Sequence, residues 1–214
     1  MPRFPTRYLL LSSILILFAG CAYHRYAHPH TSQPLVITND VISPLIPQDG
    51  KSVKYKASID VLNKHFSGII LLKQMDSVKH FVFITELGMK MFDFEMKNNR
   101  FTPVYVFEPL NNPKLIGALT HDFETLLLLD LYGKSGEYNT CLNGRDFLRI
   151  KEGDLVSIVE REGTVAEKRT SFVKKRKDTQ TTYTSSDKGP YEHIALKQYG
   201  LVKIYIDLTK LNDE

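Results

Sequence analysis

The chain has 214 residues, of which 43% are hydrophobic and 24% are charged, and its formal net charge is +4 at pH 7. This length is sufficient to bury one sizeable hydrophobic core. A nearly balanced charge gives no general case for nucleic-acid binding. The composition therefore predicts one globular domain that has no nucleic-acid partner.

The first 20 residues have the composition of an export signal. Arg3 and Arg7 precede an apolar run of 11 residues, 8–18, and small residues follow it. A helix that spans a bilayer needs roughly 17 to 25 residues, so a cleaved signal is favoured over a permanent membrane span. Cleavage would remove two arginines and no acid, and the net charge would fall from +4 to +2.

The sequence Phe18-Ala19-Gly20-Cys21 resembles the lipobox of bacterial prolipoproteins. The resemblance implies cleavage before Cys21, a diacylglycerol on its sulfur, and acylation of the new amino terminus. Ala22 follows in place of an acid, which by the sorting rules of such lipoproteins implies the outer membrane, facing the periplasm. An ordinary cleaved signal with an incidental cysteine is the alternative. Lipidation would leave Cys141 alone, and a small buried side chain is the favoured interpretation of it.

Residues 21–34 are predicted to form a flexible tether, and residues 35–214 the folded domain. The tether contains Pro29, Thr31, Ser32, Gln33 and Pro34 and has little apolar surface to bury. His24, His28 and His30 lie within it, but a flexible linker lacks the fixed geometry that a stable metal site needs. No metal site is therefore assigned to them.

Most of the domain alternates between apolar and polar residues with a period of two, which is typical of antiparallel strands. The segments 67–75 and 79–87 are apolar on both faces and should be covered on both sides. Asn98 and Asn99 predict a tight turn, since asparagine tolerates positive φ. The predicted strands are 53–61, 67–75, 79–87, 90–97, 101–108, 147–151, 155–162, 164–174, 191–199 and 201–208, and the polar stretch 178–189 is predicted to be an exposed loop.

One segment has helical spacing instead. Asn112 can cap a helix whose first residue is Pro113, and apolar residues then recur every three or four positions to about Asp130. This helix should pack its apolar stripe on the sheet. The fold class predicted is mainly β (α+β): a curved antiparallel sheet forming an incomplete barrel, with one main helix across its concave side.

A family resemblance rests on the strand pattern and a few glycines. The residues are His65-Phe66-Ser67-Gly68, Lys73, the run 81–84, Leu87-Gly88 and Phe92-Asp93-Phe94, with Gly189-Pro190 and the strand 201–208 near the end. They resemble the LolA/LolB superfamily, whose founding members carry acylated lipoproteins to the outer membrane. The resemblance implies an incomplete barrel with an apolar cavity. LolB-type members use an exposed leucine on a loop between early strands, and residues 74–78 are too short and polar to supply it.

Two groups of side chains are candidate sites. The first is an apolar groove between sheet and helix, which comprises Phe81, Phe83, Phe92, Phe94, Leu115, Leu119, Phe123 and Leu126. The second is a basic cluster, Lys174, Lys175, Arg176 and Lys177, which could face an anionic lipid surface or could simply be a solvated edge strand and loop.

No catalytic residue and no cofactor is assigned. Thr120, His121, Asp122 and Glu124 could serve acid–base chemistry, but a polar face on an amphipathic helix accounts for them equally well. His65 and His80 lack a serine or cysteine partner in a recognisable elbow. The sequence therefore predicts a non-enzymatic protein of the cell envelope that binds a lipid or acyl chain, and possible ligands include an acylated protein. The alternative is an interaction or assembly module with a fully packed core.

Overall fold

The computed structural model describes residues 26, 31–46, 52–61, 64–75, 78–140, 146–186, 189–199 and 203–211. In these ranges the chain forms 13 strands and one α-helix, with two short 3-10 helices. The strands are β1 (Thr31–Val36), β2 (Val53–Val61), β3 (Lys64–Met75), β4 (Val78–Thr85), β5 (Lys90–Lys97), β6 (Arg100–Val106), β7 (Ser135–Thr140), β8 (Asp146–Glu152), β9 (Leu155–Glu162), β10 (Val165–Val173), β11 (Arg176–Ser186), β12 (Gly189–Gln198) and β13 (Ile204–Leu211). Helix α1 is Pro113–Leu126, and the 3-10 helices are Glu108–Leu110 and Leu129–Leu131.

All 13 strands belong to one antiparallel sheet. Their order is β1-β7-β8-β9-β10-β11-β12-β13-β2-β3-β4-β5-β6, so strands that are consecutive in the chain are neighbours in the sheet, except β1 and β2 and also β6 and β7. The last strand, β13, pairs with β2 and thereby connects the two halves of the chain. The edges, β1 and β6, do not pair with each other, so the sheet is unclosed. The predicted mainly antiparallel β architecture is confirmed.

The sheet is curved, as the contacts of helix α1 show. The ring of Phe123 lies 5.4 Å from that of Phe92 on β5, and the carbonyl of Thr125 accepts a hydrogen bond of 3.1 Å from Arg169 on β10. Strands β5 and β10 are seven places apart in the sheet, which at about 4.8 Å per strand would separate them by about 34 Å in a flat sheet. Two residues of one helix can reach both strands only because the sheet bends. We call the face that carries these contacts the helix face and the opposite face the outer face.

Helix α1 begins where the sequence predicts and ends earlier. The Asn112 side chain accepts hydrogen bonds from the backbone N–H groups of Lys114 (3.0 Å) and Leu115 (3.3 Å), and Pro113 needs no such partner. The prediction of a helix to about Asp130 is wrong by one turn, because Leu128 adopts a left-handed φ of 61°. The change of direction buries Leu128 completely and brings Asp130 to Arg169.

Two other boundaries also differ from the sequence analysis. The predicted tether extends to residue 34, but Thr31–Val36 forms edge strand β1, whose backbone pairs with β7 without needing apolar side chains. Pro34 is tolerated there because an edge strand leaves one row of N–H groups unpaired. The predicted loop 178–189 lies largely in β11, between β10 and β12. Its threonines are polar but β-branched, and Thr179 and Thr181 are buried on the helix face.

Gly68 has a packing role in the sheet. A Cβ atom at this position would lie 2.1 Å from the carbonyl oxygen of Ile84 on the neighbouring strand β4. No side chain can occupy that space, so glycine permits the close approach of β3 to β4 beside the β-bulge at Phe83 and Ile84.

The buried residues form a large core and a smaller cluster. The large core lies between the sheet and helix α1 and includes side chains from nearly every strand. The smaller cluster consists of Tyr26, Phe147, Val156, Ile158 and Phe172. Tyr26 packs edge-on against Phe147 and donates a hydrogen bond to Glu160. A residue of the predicted tether is therefore buried against the sheet.

Candidate functional site

The aromatic residues of the predicted groove lie together between the sheet and the helix. Phe81, Phe83, Phe92, Phe94 and Phe123 are at most 2% exposed. The centroids of the Phe81 and Phe123 rings are 4.5 Å apart, and those of Phe92 and Phe94 are 4.9 Å apart. We call these five residues and Phe101, whose ring lies 5.2 Å from Phe81, the aromatic region. Its rings fill the space between them with one another, as in a packed core.

The three predicted leucines occupy different environments. Leu119 and Leu126 are at most 4% exposed and belong to the same core. Leu115 is only partly buried, and it lines an open pocket beside the start of helix α1. The structure thus places seven of the eight predicted groove residues in the interior, and the eighth at a surface opening.

This opening, which we call the helix-end pocket, has a volume of about 400 Å³. It lies between the β2–β3 hairpin and the first turns of helix α1, whose position is fixed by the Asn112 cap. Its walls are mainly apolar, and two lysines lie at its margin. The lining residues are Val61, Lys64, Phe66, Pro109, Leu110, Asn112, Lys114, Leu115 and Ala118. Pockets of this size and composition are typical of small-ligand sites.

A second pocket adjoins the first, and the two share Val61 and Lys64. We call it the lysine pocket; its volume is about 550 Å³. The remaining lining residues are Asp60, His65, Lys197, Gln198, Lys203, Ile204 and Tyr205. Asp60 accepts a hydrogen bond from His65 over 2.7 Å, which leaves the lysines in excess over the single acid.

Another part of the helix face is lined by polar side chains. It lies where β9, β10 and β11 approach the C-terminal end of helix α1. Arg169 is 2% exposed and donates two hydrogen bonds of 2.6 Å to the carboxylate of Asp130. It also donates to the carbonyl of Thr125 and to the hydroxyl of Ser157, both over 3.1 Å. We call the buried set Asp122, Thr125, Asp130, Ser157, Arg169, Ser171, Thr179 and Thr181 the polar region.

The Asp130 carboxylate is stabilised in its charged form. Burial alone would raise the pKa of Asp130, but the charge of Arg169 and its hydrogen bonds outweigh burial, and the pKa lies below its usual value. The pair is therefore a structural ion pair that ties the chain after helix α1 to β10.

Asp122 is different, because no compensating partner for it lies among the described residues. It is completely buried, and neither of its carboxylate oxygens has a hydrogen-bond partner in the described part of the chain. Burial, with a smaller contribution from the charge of Asp178, raises its pKa to about 7. The hydroxyls of Thr125 and Thr181 are likewise buried without a partner there.

The structure separates the residues considered for acid–base chemistry. His121 is exposed to solvent, whereas Asp122 is buried beneath it. Glu124 is also buried, and it accepts hydrogen bonds of 2.8 Å from the backbone of Phe101 and from the guanidinium of Arg100. The interpretation of these residues as a polar face on an amphipathic helix is wrong for Asp122 and Glu124, which are buried. The spacing of the apolar residues does not predict this burial, because the helix contacts the sheet over a wider face than its apolar stripe.

The basic cluster lies at a hairpin turn. Lys174 and Lys175 have positive φ angles of 48° and 65°, and they connect the interior strands β10 and β11. Lys174, Lys175 and Arg176 are exposed, while Lys177 contacts Tyr199 and Gln180. Lys174 and Lys175 therefore form the turn, and Arg176 and Lys177 begin the interior strand β11, so the cluster is not part of an edge strand. Its role at a lipid surface stays a prediction.

Cys21, Cys141 and the tether histidines lie outside the described residues. Two features escaped the sequence analysis. One is Tyr26, whose burial no local pattern signals. The other is Leu87 in the β4–β5 turn, which is 93% exposed beside Met89 at 43%; the Leu-Gly pair after an apolar run marks it as a turn.

No protein-family model matches the chain, and no curated relative matches it in sequence. Among solved structures, it is similar to a LolA superfamily protein from Nitrosomonas europaea, with 10% identity over 81% of this chain and 88% of that one, at a TM-score of 0.46. It is also similar to a DUF1329 family protein from Desulfovibrio piger, with 11% identity over 77% and 85% of the two chains, at a TM-score of 0.36. At these TM-scores the likenesses assign no function to the chain.

The described residues contain no helix with the length and hydrophobicity of a membrane span. Among the same residues, no three His, Cys, Asp or Glu side chains are grouped so that they could hold a metal ion.

Proposed function

We propose that this chain is a lipoprotein of the cell envelope, anchored through Cys21 to the outer membrane and facing the periplasm, and that it binds an acyl chain in the helix-end pocket. In this proposal helix α1 lies across the concave side of an incomplete barrel, and its first turns form one wall of the site. The observation that carries the proposal is an open pocket of about 400 Å³ between Leu115, Phe66 and Leu110. An acyl chain there would remove apolar surface from water on both partners, at about 25 cal/mol per Å².

The site differs from the groove that the sequence predicts. The aromatic region is already filled by its own rings, so the ligand would enter at Leu115 and not displace Phe123. A pocket beside a helix start also needs no rearrangement of the buried core, which is costly to open.

A fluorescent fatty acid can test the binding function directly. In a soluble chain that begins at Ala22, Leu115→Gln should weaken binding about tenfold, because it places an amide in the apolar wall. Ile116→Gln is the matched control, since Ile116 is the next residue of the same helix, is also partly buried and does not line the pocket. Equal binding by both variants and the parent would contradict the site, and absence of binding by the parent would contradict the function.

The anchor has a separate test. Cys21→Ala in the full chain should release soluble protein or leave an uncleaved precursor. If this variant still matures and fractionates with membranes, the anchor is not Cys21. Lipid extraction from the purified parent, followed by mass spectrometry, would identify the natural acyl ligand.

The packed aromatic region favours a second candidate function, that of an interaction or assembly module without a ligand. Five phenylalanine rings at most 2% exposed need no guest to complete the core. In that case the helix-end pocket would be an empty surface depression, and the parent chain would not bind the fluorescent fatty acid at all.

A further inference from the structure

The outer face of the sheet carries a buried apolar cluster on strands β8, β9 and β10. Ser157 and Ser171 bond each other on the helix face over 3.2 Å, so their neighbours in β9 and β10 point to the outer face. A sheet face that no helix covers normally carries polar side chains, as β2 does with the exposed Lys56 and Asp60. The apolar side chains on the outer face of β8, β9 and β10 are instead at most 6% exposed, and we call them the outer-face cluster: Phe147, Val156, Ile158 and Phe172.

Tyr26 covers one end of the outer-face cluster. Its ring lies 5.3 Å from that of Phe147, and its hydroxyl donates a hydrogen bond to Glu160, which is paired with Phe147 across β8 and β9. The cluster continues along β9 to Val156, four residues from Glu160 and therefore about 14 Å away. Val156 is paired with Phe172 on β10. Among the described residues, only Tyr26 joins this cluster from outside the sheet, and one ring cannot cover a surface of that length.

The chain that precedes Tyr26 has the length to cover the rest of the cluster. Residues 22–25 span at most about 14 Å when extended, which matches the length of the cluster along β9, and they include a second aromatic residue, Tyr23. A segment that followed the cluster would bring Cys21 to the β8–β9 turn. That turn contacts the basic β10–β11 turn, because the backbone N–H of Lys174 donates to the carbonyl of Asp154 over 3.2 Å.

We propose that residues 22–25 pack in an extended conformation along the outer-face cluster, from Tyr26 toward Val156, and that this contact turns the β8–β9 and β10–β11 turns toward the membrane. Cys21 then lies beside these turns, so its lipid and the exposed Lys174 and Lys175 meet the membrane on the same side of the domain. The course of the tether is independent of the proposed function, whereas the membrane-facing side rests on the anchor at Cys21.

Two cysteine pairs test the course of the tether in the soluble chain that begins at Ala22, with Cys141→Ser as background. Lys151 is exposed and paired with Val156 at one end of the cluster, and Glu162 is exposed near the opposite end. We expect Ala22→Cys/Lys151→Cys to form a disulfide under mild oxidation at least about tenfold faster than Ala22→Cys/Glu162→Cys, because only the first two positions are adjacent when the tether is packed.

Tyr26→Ala should bring the two rates of disulfide formation within about twofold of each other, because the tether then has no fixed course. Trypsin should also cleave this variant after Arg25 at least about tenfold faster than the parent, because a packed segment resists proteolysis. Tyr105→Ala is the matched control, since it removes an exposed ring from β6, outside the cluster, and should change neither readout. Equal rates for the two pairs in the parent, or a faster reaction of the Glu162 pair, would overturn the packed tether.

The membrane-facing side is measured with the lipidated full chain, again with Cys141→Ser, in vesicles that contain nitroxide-labelled phosphatidylglycerol. A fluorophore on Lys151→Cys should be quenched at least about twofold more than one on Glu162→Cys, because the lipid anchor holds the first position nearer to the bilayer. Equal quenching, or stronger quenching at Glu162, would overturn this orientation. If the full chain does not associate with membranes at all, the anchor of the proposed function fails and the orientation fails with it, while the disulfide pairs still decide whether the tether packs on the sheet.

Discussion

The aromatic region and the polar region lie under the same helix, yet they are built from opposite chemistry. Phe123 of α1 packs among rings from β4 and β5, whereas Thr125 and the chain after the helix meet Arg169 of β10. In the aromatic region many apolar contacts, none of them a hydrogen bond or an ion pair, hold the helix on the sheet. In the polar region a few directional contacts fix the chain, and some buried groups have no hydrogen-bond partner among the described residues. We therefore expect the aromatic region to contribute most to the free energy of unfolding. We expect the polar region to fix the position of the chain after the helix on the sheet, and to make the free energy of unfolding depend on pH.

The largest effect should come from breaking the buried ion pair. Arg169→Ala would leave Asp130 buried without its charge partner, and removal of one partner of such a pair typically costs about 3–5 kcal/mol. We expect the free energy of unfolding, from urea titration, to fall by an amount near the top of that range, because Arg169 also bonds Thr125 and Ser157.

The double variant Arg169→Met/Asp130→Leu sharpens this prediction. It removes both charges and keeps apolar volume, so it should recover much of the loss. A double variant as unstable as Arg169→Ala would show that the volume or the other hydrogen bonds matter more than the charges.

Phe123→Ala should cost somewhat less, about 3 kcal/mol, through lost transfer free energy and the cavity that remains. The surrounding rings at 4.5 Å and 5.4 Å can partly close the cavity, which limits the loss. Urea midpoints of Phe123→Ala and of Leu119→Ala, together with binding of the fluorescent fatty acid, check the expectation. If Phe123→Ala leaves stability almost unchanged but abolishes binding, the aromatic region and not the helix-end pocket holds the ligand.

Asp122 should give the polar region a pH dependence that the aromatic region lacks. Its pKa is raised to about 7 in the folded chain, above the value of about 3.9 expected in the unfolded chain. The unfolded chain therefore releases this proton at lower pH, and stability should fall as the pH rises from about 4 to about 7 and then level off.

Asp122→Asn should remove this dependence of the free energy of unfolding on pH. It should also raise the free energy of unfolding at pH 8 by roughly 2 kcal/mol, and the gain is limited because the buried amide also lacks hydrogen-bond partners among the described residues. Urea midpoints between pH 5 and pH 8 measure it, with the exposed Asp154→Asn as control. Parallel pH profiles for the parent and Asp122→Asn would contradict the prediction.

The sequence predicts the parts of the fold that repeat locally. The period-two pattern identifies most strands, and Asn112-Pro113 identifies the helix start, because these signals lie within a few residues. It does not predict β11, whose threonines are polar in composition but β-branched in shape. Nor does it predict that Asp122, Asp130 and Arg169 are buried, since their environment depends on a sheet that curves across seven strands. The sequence predicts that the groove residues lie together between the sheet and the helix, but only Leu115 lies at an opening. No local pattern distinguishes a filled interior from an open pocket.

The smallest effect on stability should come from the two exposed hairpin turns, one in each half of the sheet. The β4–β5 turn presents Leu87, and the β10–β11 turn presents Lys174 and Lys175. Leu87→Ser and Lys174→Gln/Lys175→Gln should each change the free energy of unfolding by less than about 0.5 kcal/mol, as surface substitutions usually do.

Their effects on membrane association should nevertheless differ in kind. If Leu87 inserts among the lipids, its replacement by serine should weaken binding to vesicles of phosphatidylglycerol and phosphatidylethanolamine about fivefold at any salt concentration. The lysine variant should weaken binding at low salt and have little effect at high salt, because its contribution is electrostatic. Co-sedimentation of the soluble chain with vesicles at two salt concentrations measures both. If Leu87→Ser binds vesicles as well as the parent chain does, the β4–β5 turn does not contact the membrane. Of these two turns, only the β10–β11 turn could then contribute to binding.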